Sequence, residues 1–168
     1  GRSGLDKTGT VLRNGLRKPP AALPPSESLG FLIRDTMMHL HKVLRTYLQD
    51  YGISTAQWFL LRVLWEEEGL SQRQLSIRVS TTEPTTQSAL LRMEKQGIVR
   101  RVKDPKDKRT NRIYLTKKGR ELEARMIPYA MEVNEVASQG ISKKDIKALK
   151  TIMGRVRGNL LNEIESYD

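Results

Sequence analysis

A mainly α-helical fold with a small β-hairpin wing is what this sequence predicts, on three observations. Apolar residues recur at helical spacing through most of residues 29–165. Residues 98–115 break that rhythm and read as two strand-like runs around a turn-rich tip. A Ser or Thr stands ahead of nearly every helical run, where its oxygen can cap the first turn. At 168 residues the chain is long enough for one domain with a real core, or for two small lobes.

The elements follow in order. Residues 1–27 are rich in Gly, Pro and basic residues, and Pro19-Pro20-Ala21-Ala22-Leu23-Pro24-Pro25 reads as a polyproline-type connector. This segment is either a disordered tail or an arm that packs on a partner subunit or touches a polyanion through Arg13, Arg17 and Lys18. Ser26 or Ser28 can cap a helix whose stripe is Leu29, Ile33, Met37, Leu40, Leu44 and Leu48, ending near Tyr51-Gly52. Ser54 caps a second helix over Thr55–Glu67, with Gly69 at its end. Ser71 caps a short helix over Gln72–Arg78. The turn Ser80-Thr81-Thr82 leads into a helix over Glu83–Gln96, where Pro84 is tolerated because the first turn needs no donor and Gly97 is the stop.

Ile98–Lys103 and Arg112–Leu115 are the two strands, joined by the eight-residue tip Asp104–Asn111. Thr116 caps the next helix, with Leu122, Met126, Ala130, Val133 and Ala137 on its inner face, and Pro128 should bend or break it. Ser142 caps the last helix, in which Ile146, Leu149, Val156, Leu160 and Ile164 keep helical spacing. The middle of the chain is thus a helix-turn-helix followed by a two-stranded wing. The flanking helices carry more apolar surface than so small a middle lobe can cover, which a helical dimer interface would bury.

Charge is concentrated rather than spread. Of 30 Lys/Arg residues, 14 lie between Ser71 and Arg120, against only Glu83, Glu94, Asp104 and Asp107, so that stretch carries nearly all of the net charge of +11. A local positive field on a folded module is the footprint of a polyanion-binding face, most often for nucleic acid. With no cysteine, disulfides, thiolate catalysis and thiol redox sensing are excluded. No apolar run reaches the roughly 20 residues of a membrane span, and no apolar signal segment opens the chain, so a cytoplasmic protein with no membrane partner is expected. There is no Gly-rich phosphate loop, no Ser/His/Asp arrangement and no paired carboxylate cluster, so no catalytic residue is assigned. His39 and His41, at i and i+2, point to different sides of a helix and cannot share a metal, so none is expected.

The run Gly69–Leu122 resembles the winged helix-turn-helix of MarR-type transcriptional regulators. The resemblance rests on the helix-turn-helix of Ser71–Gly97, the Leu-x-x-Met-Glu-x-x-Gly-Ile-Val-x-Arg run of Leu90–Arg101, the wing Asp104-Pro105-x-Asp107-x-Arg109, and Leu115-Thr116-x-x-Gly119. It extends in element order over residues 29–165. It implies a DNA-binding domain over 54–119, a helical dimerisation region over 28–53 and 120–168, and an N-terminal arm or tail over 1–27. It also implies a homodimer on double-stranded DNA. In many such proteins a small aromatic ligand releases the DNA. An aromatic acid or its thioester is therefore an expected effector, and no cofactor is.

The helix over Glu83–Gln96 would enter the major groove. Thr86, Ala89, Leu90 and Met93 face inward. Thr82, Thr85, Gln87 and Ser88 face out, where hydroxyls and an amide can read base edges. These four are also what a capped, solvated helix start would carry. The resemblance gives Arg109 the minor-groove role at the wing tip, whose negative potential attracts guanidinium, with Asp107 holding it in a bidentate pair. Lys108 stands where the family pattern commonly has Arg. Arg92, Arg100, Arg101, Lys103, Lys106 and Lys108 are assigned to phosphates, supplying affinity and salt dependence. Ligand pockets in the family lie between the dimerisation helices and the winged lobe, where Met37, Met38, His41, Trp58 and Arg62 are candidates. Glu66-Glu67-Glu68 reads as a solvated run or as partners for basic neighbours.

The reading is a dimeric, ligand-responsive repressor acting on a pseudo-palindromic site. One rival is a non-regulatory architectural or RNA-binding winged-helix module. The other is an enzyme of nucleic-acid metabolism that uses the lobe for docking.

Overall fold

The computed structural model describes residues 22–168, so most of the expected arm, with Arg13, Arg17 and Lys18, lies outside the described residues. The helices are α1 (Leu29–Leu48), α2 (Thr55–Leu64), α3 (Gln72–Arg78), α4 (Glu83–Lys95), α5 (Lys117–Ala137) and α6 (Lys143–Glu165). The strands are β1 (Leu70–Ser71), β2 (Val99–Lys103) and β3 (Asn111–Leu115). The described residues fall into two compact units, the second beginning at Leu40. In the first, Ser28 is the cap: its Oγ accepts from the Phe31 amide at 3.4 Å. Leu29, Phe31, Leu32, Met37 and Met38 are exposed there.

Local hydrogen bonding sets the helix starts in the second unit. Ser54 Oγ accepts the Gln57 amide and Gln57 Oε1 accepts the Ser54 amide, both at 3.1 Å. Ser71 and Gln74 repeat this reciprocal box at the start of α3. Thr116 and Ser142 cap α5 and α6 through the amides of Gly119 and Asp145. Gly97, at φ 72°, stops α4 as expected, since a side chain is strained in the left-handed region. Pro128 does not break α5, which runs on to Ala137.

The sheet has three antiparallel strands in the order β1-β3-β2, one more than the hairpin expected. Leu70 pairs with Ile113, and on the other side of β3 Ile113 pairs with Arg101 and Leu115 with Val99. The core gathers Leu44 and Leu48, Trp58, Leu61 and Leu64, Leu75, Leu90 and Met93, the strand residues Val99, Ile113 and Leu115, and Leu122 and Met126 of α5. Val133 is buried as expected, but Ala137 is exposed, because α5 has by then run past this core. No residue of α6 is buried.

The junction of wing and α5 explains the glycine of the Leu-Thr-x-x-Gly segment. A Cβ on Gly119 would overlap the Ile98 carbonyl oxygen. That oxygen accepts the Thr116 amide, and Trp65 Nε1 donates to the Gly119 carbonyl at 3.0 Å. Gly119→Ala should therefore cost about 1–3 kcal/mol, as overpacking against rigid backbone does. Urea unfolding measures this, and an unchanged midpoint would mean that α5 can shift at no cost.

Candidate nucleic-acid interface

The faces of α4 fall as its sequence predicts. Thr86, Ala89, Leu90 and Met93 are buried, while Thr82, Thr85, Gln87, Ser88 and Arg92 are exposed. Two of the four candidate readers also cap the helix: Thr82 Oγ1 accepts the Thr85 amide at 3.3 Å and donates to Thr85 Oγ1 at 2.9 Å. The turn before α4 contains Ser80 at φ 54°, a left-handed residue that reverses the chain between α3 and α4.

A buried amide relay secures the helix from behind, and sequence reasoning missed it. Gln57 is fully buried; its Nε2 donates to Gln96 Oε1 at 3.3 Å, and Gln96 Nε2 donates to the Gly52 carbonyl at 2.8 Å. Lys118 Nζ reaches the Gln96 carbonyl at 2.9 Å. The Ser-x-x-Gln box at Ser54 was the available signal for Gln57.

The wing tip is built around two aspartates, in a way that corrects one expectation. Asp107 does not hold the Arg109 guanidinium. Its Oδ1 accepts the Arg109 backbone amide at 3.0 Å and its Oδ2 accepts the Thr110 hydroxyl at 3.1 Å. An amide two residues on is the nearer donor, the usual Asx turn, and it saves the entropy of fixing a long arginine. Among the described residues Arg109 forms no ion pair, so its charge stands free at the tip, with Lys106 and Lys108 exposed beside it. Asp104 takes the Lys106 amide on Oδ1 and Arg112 Nε on Oδ2, both at 2.8 Å, while Arg112 Nη1 donates to the Gly69 carbonyl at 2.9 Å. Arg112 thus ties the wing to the end of the segment before β1.

Two more arginines of the hairpin differ from each other. Arg100 is exposed, and its guanidinium lies 5.0 Å from the Tyr114 ring centre, so the ring face supports the charged head at the surface. Arg101 does not fit the phosphate role assigned to it. It turns inward, and its Nε lies 3.2 Å from Glu94 Oε2. Alternation along the strand is the reason: with Val99 buried, residue 101 shares its face. Arg92, Lys103, Lys106 and Lys108 are exposed.

The acidic run 66–68 finds partners in part. Glu67 pairs with Arg78 at 2.8 Å, and Glu68 pairs with Arg120 at 3.0 Å while accepting the Leu115 amide at 2.7 Å. The Arg120 hydrogen bond, then the Leu115 amide, hold the Glu68 carboxyl below its usual range against the opposing effect of desolvation. Asp104 is likewise held low, first by the Lys106 amide and then by Arg112. A carboxyl depressed in the folded state contributes stability that is present above its unfolded pKa, about 4, and lost as pH falls through the folded value. The urea midpoint should therefore hold from about pH 7 to 5 and fall as the pH is taken toward 3. Glu68→Gln should flatten that fall, and a variant as acid-sensitive as the wild type would show that Glu68 is not responsible.

The candidate effector residues are divided between the two units. Met37 and Met38 lie exposed on the first unit. Trp58 is only 2% exposed, edge-on to Trp65 in the core, which takes it out of any pocket lining. Arg62 lies over the Trp58 ring at 5.7 Å, and His41 faces Phe59. A cavity of about 350 Å³ opens elsewhere, between Ser138, Ile141 and lysines 143, 147 and 150. Among the described residues no three His, Cys, Asp or Glu side chains gather around a point, and no helix is long and apolar enough to cross a membrane.

The arrangement is a helix-turn-helix whose second helix exposes small polar side chains, followed by a hairpin with free cations at its tip. The sequence pattern of the MarR family matches residues 53–110, the span from the start of α2 to the wing tip. The chain carries a MarR-family winged helix-turn-helix. Its relatives include the HTH-type transcriptional regulator TtmR of Methylorubrum extorquens, 39% identical over 117 residues, covering 70% of this chain and 59% of TtmR. The chain thus spans about three-fifths of that relative's length. A MarR transcriptional regulator from Methanosarcina mazei superposes with a TM-score of 0.72 at 27% identity, over 78% of this chain and 97% of the other. MepR of S. aureus, solved as a complex with DNA, superposes equally well (TM-score 0.72, 79% and 98% covered) at 20% identity, a likeness of fold. The MarR-family pattern ends within the wing, so α5 and α6 stand on the structural likeness.

Proposed function

We propose that the chain is a sequence-specific, double-stranded-DNA-binding transcriptional regulator, working in the cytoplasm as a homodimer on a pseudo-palindromic site. The observation that carries this is the pairing of an exposed small-polar face on α4 with a wing whose tip holds Lys106, Lys108 and Arg109, three exposed cations with no ion-pair partner among the described residues. Polar side chains near a helix start can exchange hydrogen bonds with base edges in the major groove, and a guanidinium on a narrow tip suits the minor groove. Arg92, Arg100 and Lys103 supply phosphate contacts. The names of TtmR and of the other regulators, and the DNA complex of MepR, support the same reading.

The dimer reading is supported by α6, which spans 23 residues with none of them buried while exposing Leu149, Ile152, Leu160 and Ile164. A helix with no core contact draws little stability from propensity alone, and a two-fold partner would cover that stripe. Two copies should hold their α4 helices about 34 Å apart, one turn of DNA. A small aromatic acid or thioester would act by favouring a spacing that misses successive grooves, which makes the protein a repressor released by its effector. Since the chain has no cysteine, such a response does not run through a thiol.

Anisotropy titration of the purified chain against a palindromic duplex enriched from a random pool, a random-sequence duplex and an RNA duplex of equal length tests the reading, which expects a sharp preference for the palindrome. DNA binding should weaken steeply with salt, by a slope that counts the phosphates contacted. Equal or tighter binding to RNA would favour the architectural or RNA-binding module instead.

A further inference from the structure

Side chains alternate along β2. Val99 is buried, Arg100 and Val102 are exposed, and Arg101 sits opposite the buried Ile113 on the same face as Val99. Such a position suits an apolar residue. It holds instead a guanidinium whose side chain is 18% exposed, paired with Glu94 in the last turn of α4. Arg101 Nε and Nη2 are shut off from solvent, and neither is aligned for a hydrogen bond.

Stability does not account for that charge. The Glu94 side chain is 42% exposed, and an ion pair open to solvent on one side contributes little to stability, while the desolvated guanidinium has a cost to recover. What the pair does uniquely is geometric. The chain passes from α4 to β2 through Gly97, and the pair reaches across that turn from Glu94 before it to Arg101 after it. On one side lies the helix that exposes Thr85, Gln87 and Ser88; on the other lies the strand that carries the wing.

We infer that Glu94 and Arg101 are positioning residues, an ion-pair brace that fixes the angle between α4 and the wing so that both meet one duplex together. The inference rests on the DNA-binding reading above. It also makes Glu94 an acid that promotes binding to a polyanion, the reverse of what its charge alone would do.

The test uses the full chain and the duplex that the wild type enriches from a random pool, with a scrambled duplex as reference. Glu94→Gln, Arg101→Met, Arg101→Lys and the Glu94→Gln/Arg101→Met double variant are compared at several salt concentrations, with melting curves to confirm folding. Each single variant should lose about tenfold in affinity for the enriched duplex, within the range for coupled neighbours. The double should be no weaker than either single. The salt slope should stay that of the wild type, and binding to the scrambled duplex should not fall. Arg101→Lys should lose as much as Arg101→Met, since an ammonium lacks the fork and reach of guanidinium; this keeps the test open if the Met variant misfolds. Tighter binding by Glu94→Gln, together with a slope lowered by about one in Arg101→Met, would overturn the brace and return Arg101 to the phosphate contacts. A wild type that enriches a duplex while all variants match it overturns the brace alone. A wild type that enriches none overturns the DNA reading with it.

Discussion

Arg109→Ala should weaken binding to the preferred duplex by roughly tenfold to a hundredfold, the cost of removing a groove-reading arginine. Lys106→Ala, three positions earlier in the same exposed turn, should cost only a few-fold and lower the salt slope by about one. The contrast arises because Arg109 is expected to enter a groove and Lys106 to meet only a phosphate, and the wing does not have to spend energy freeing Arg109. Asp107 is occupied by the Arg109 amide and the Thr110 hydroxyl, so it holds the loop shape and leaves the guanidinium unpaired. Asp107→Ala should accordingly weaken binding although it removes a negative charge from the tip, because the loop then samples other shapes before it docks. Competition assays at fixed salt measure all three, and equal small losses for Arg109→Ala and Lys106→Ala would show that the wing does not enter a groove.

If the chain forms the proposed dimer through α6, Ile152→Asp combined with Leu160→Asp should turn it into a monomer. Both side chains are more than half exposed on a helix with no core contacts of its own, so two carboxylates there would meet each other across a two-fold interface. The winged lobe does not depend on α6 for its core, so its cooperative melting should survive. Affinity for a two-half-site duplex should fall by roughly a hundredfold or more, the usual worth of a second linked contact. Sedimentation reports the oligomer directly. A wild type that sediments as a monomer at micromolar concentration would remove the dimer from this account.

What was legible in the sequence was what is local. Ser54, Ser71, Thr82, Thr116 and Ser142 cap helices through amides three residues on, a relation a reader can see in the chain. The split of α4 into a buried face and an exposed one follows from helical period alone. What was missed is distant or too short. A two-residue β1 carries no period, and its pairing with β3 spans some forty residues. Glu68 reaches the Leu115 amide, and Arg112 the Gly69 carbonyl, across similar separations. The inward turn of Arg101 was hidden because Ile98 and Val99 are both apolar, so neither face of β2 announced itself until pairing with β3 fixed the register. Asp107 is a different case. Its spacing to Arg109 is local, and the carboxylate met the nearer amide before it could meet the side chain.

On the proposed function, this fold reads a DNA sequence in two symmetric halves. Incubating the full chain with a pool of random duplexes, recovering the bound fraction over several rounds and sequencing it tests this most directly. The expected result is an enriched pseudo-palindrome whose half-site centres lie about ten base pairs apart, lost when Arg109 is replaced by alanine. A bound pool with the base composition of the input would contradict it.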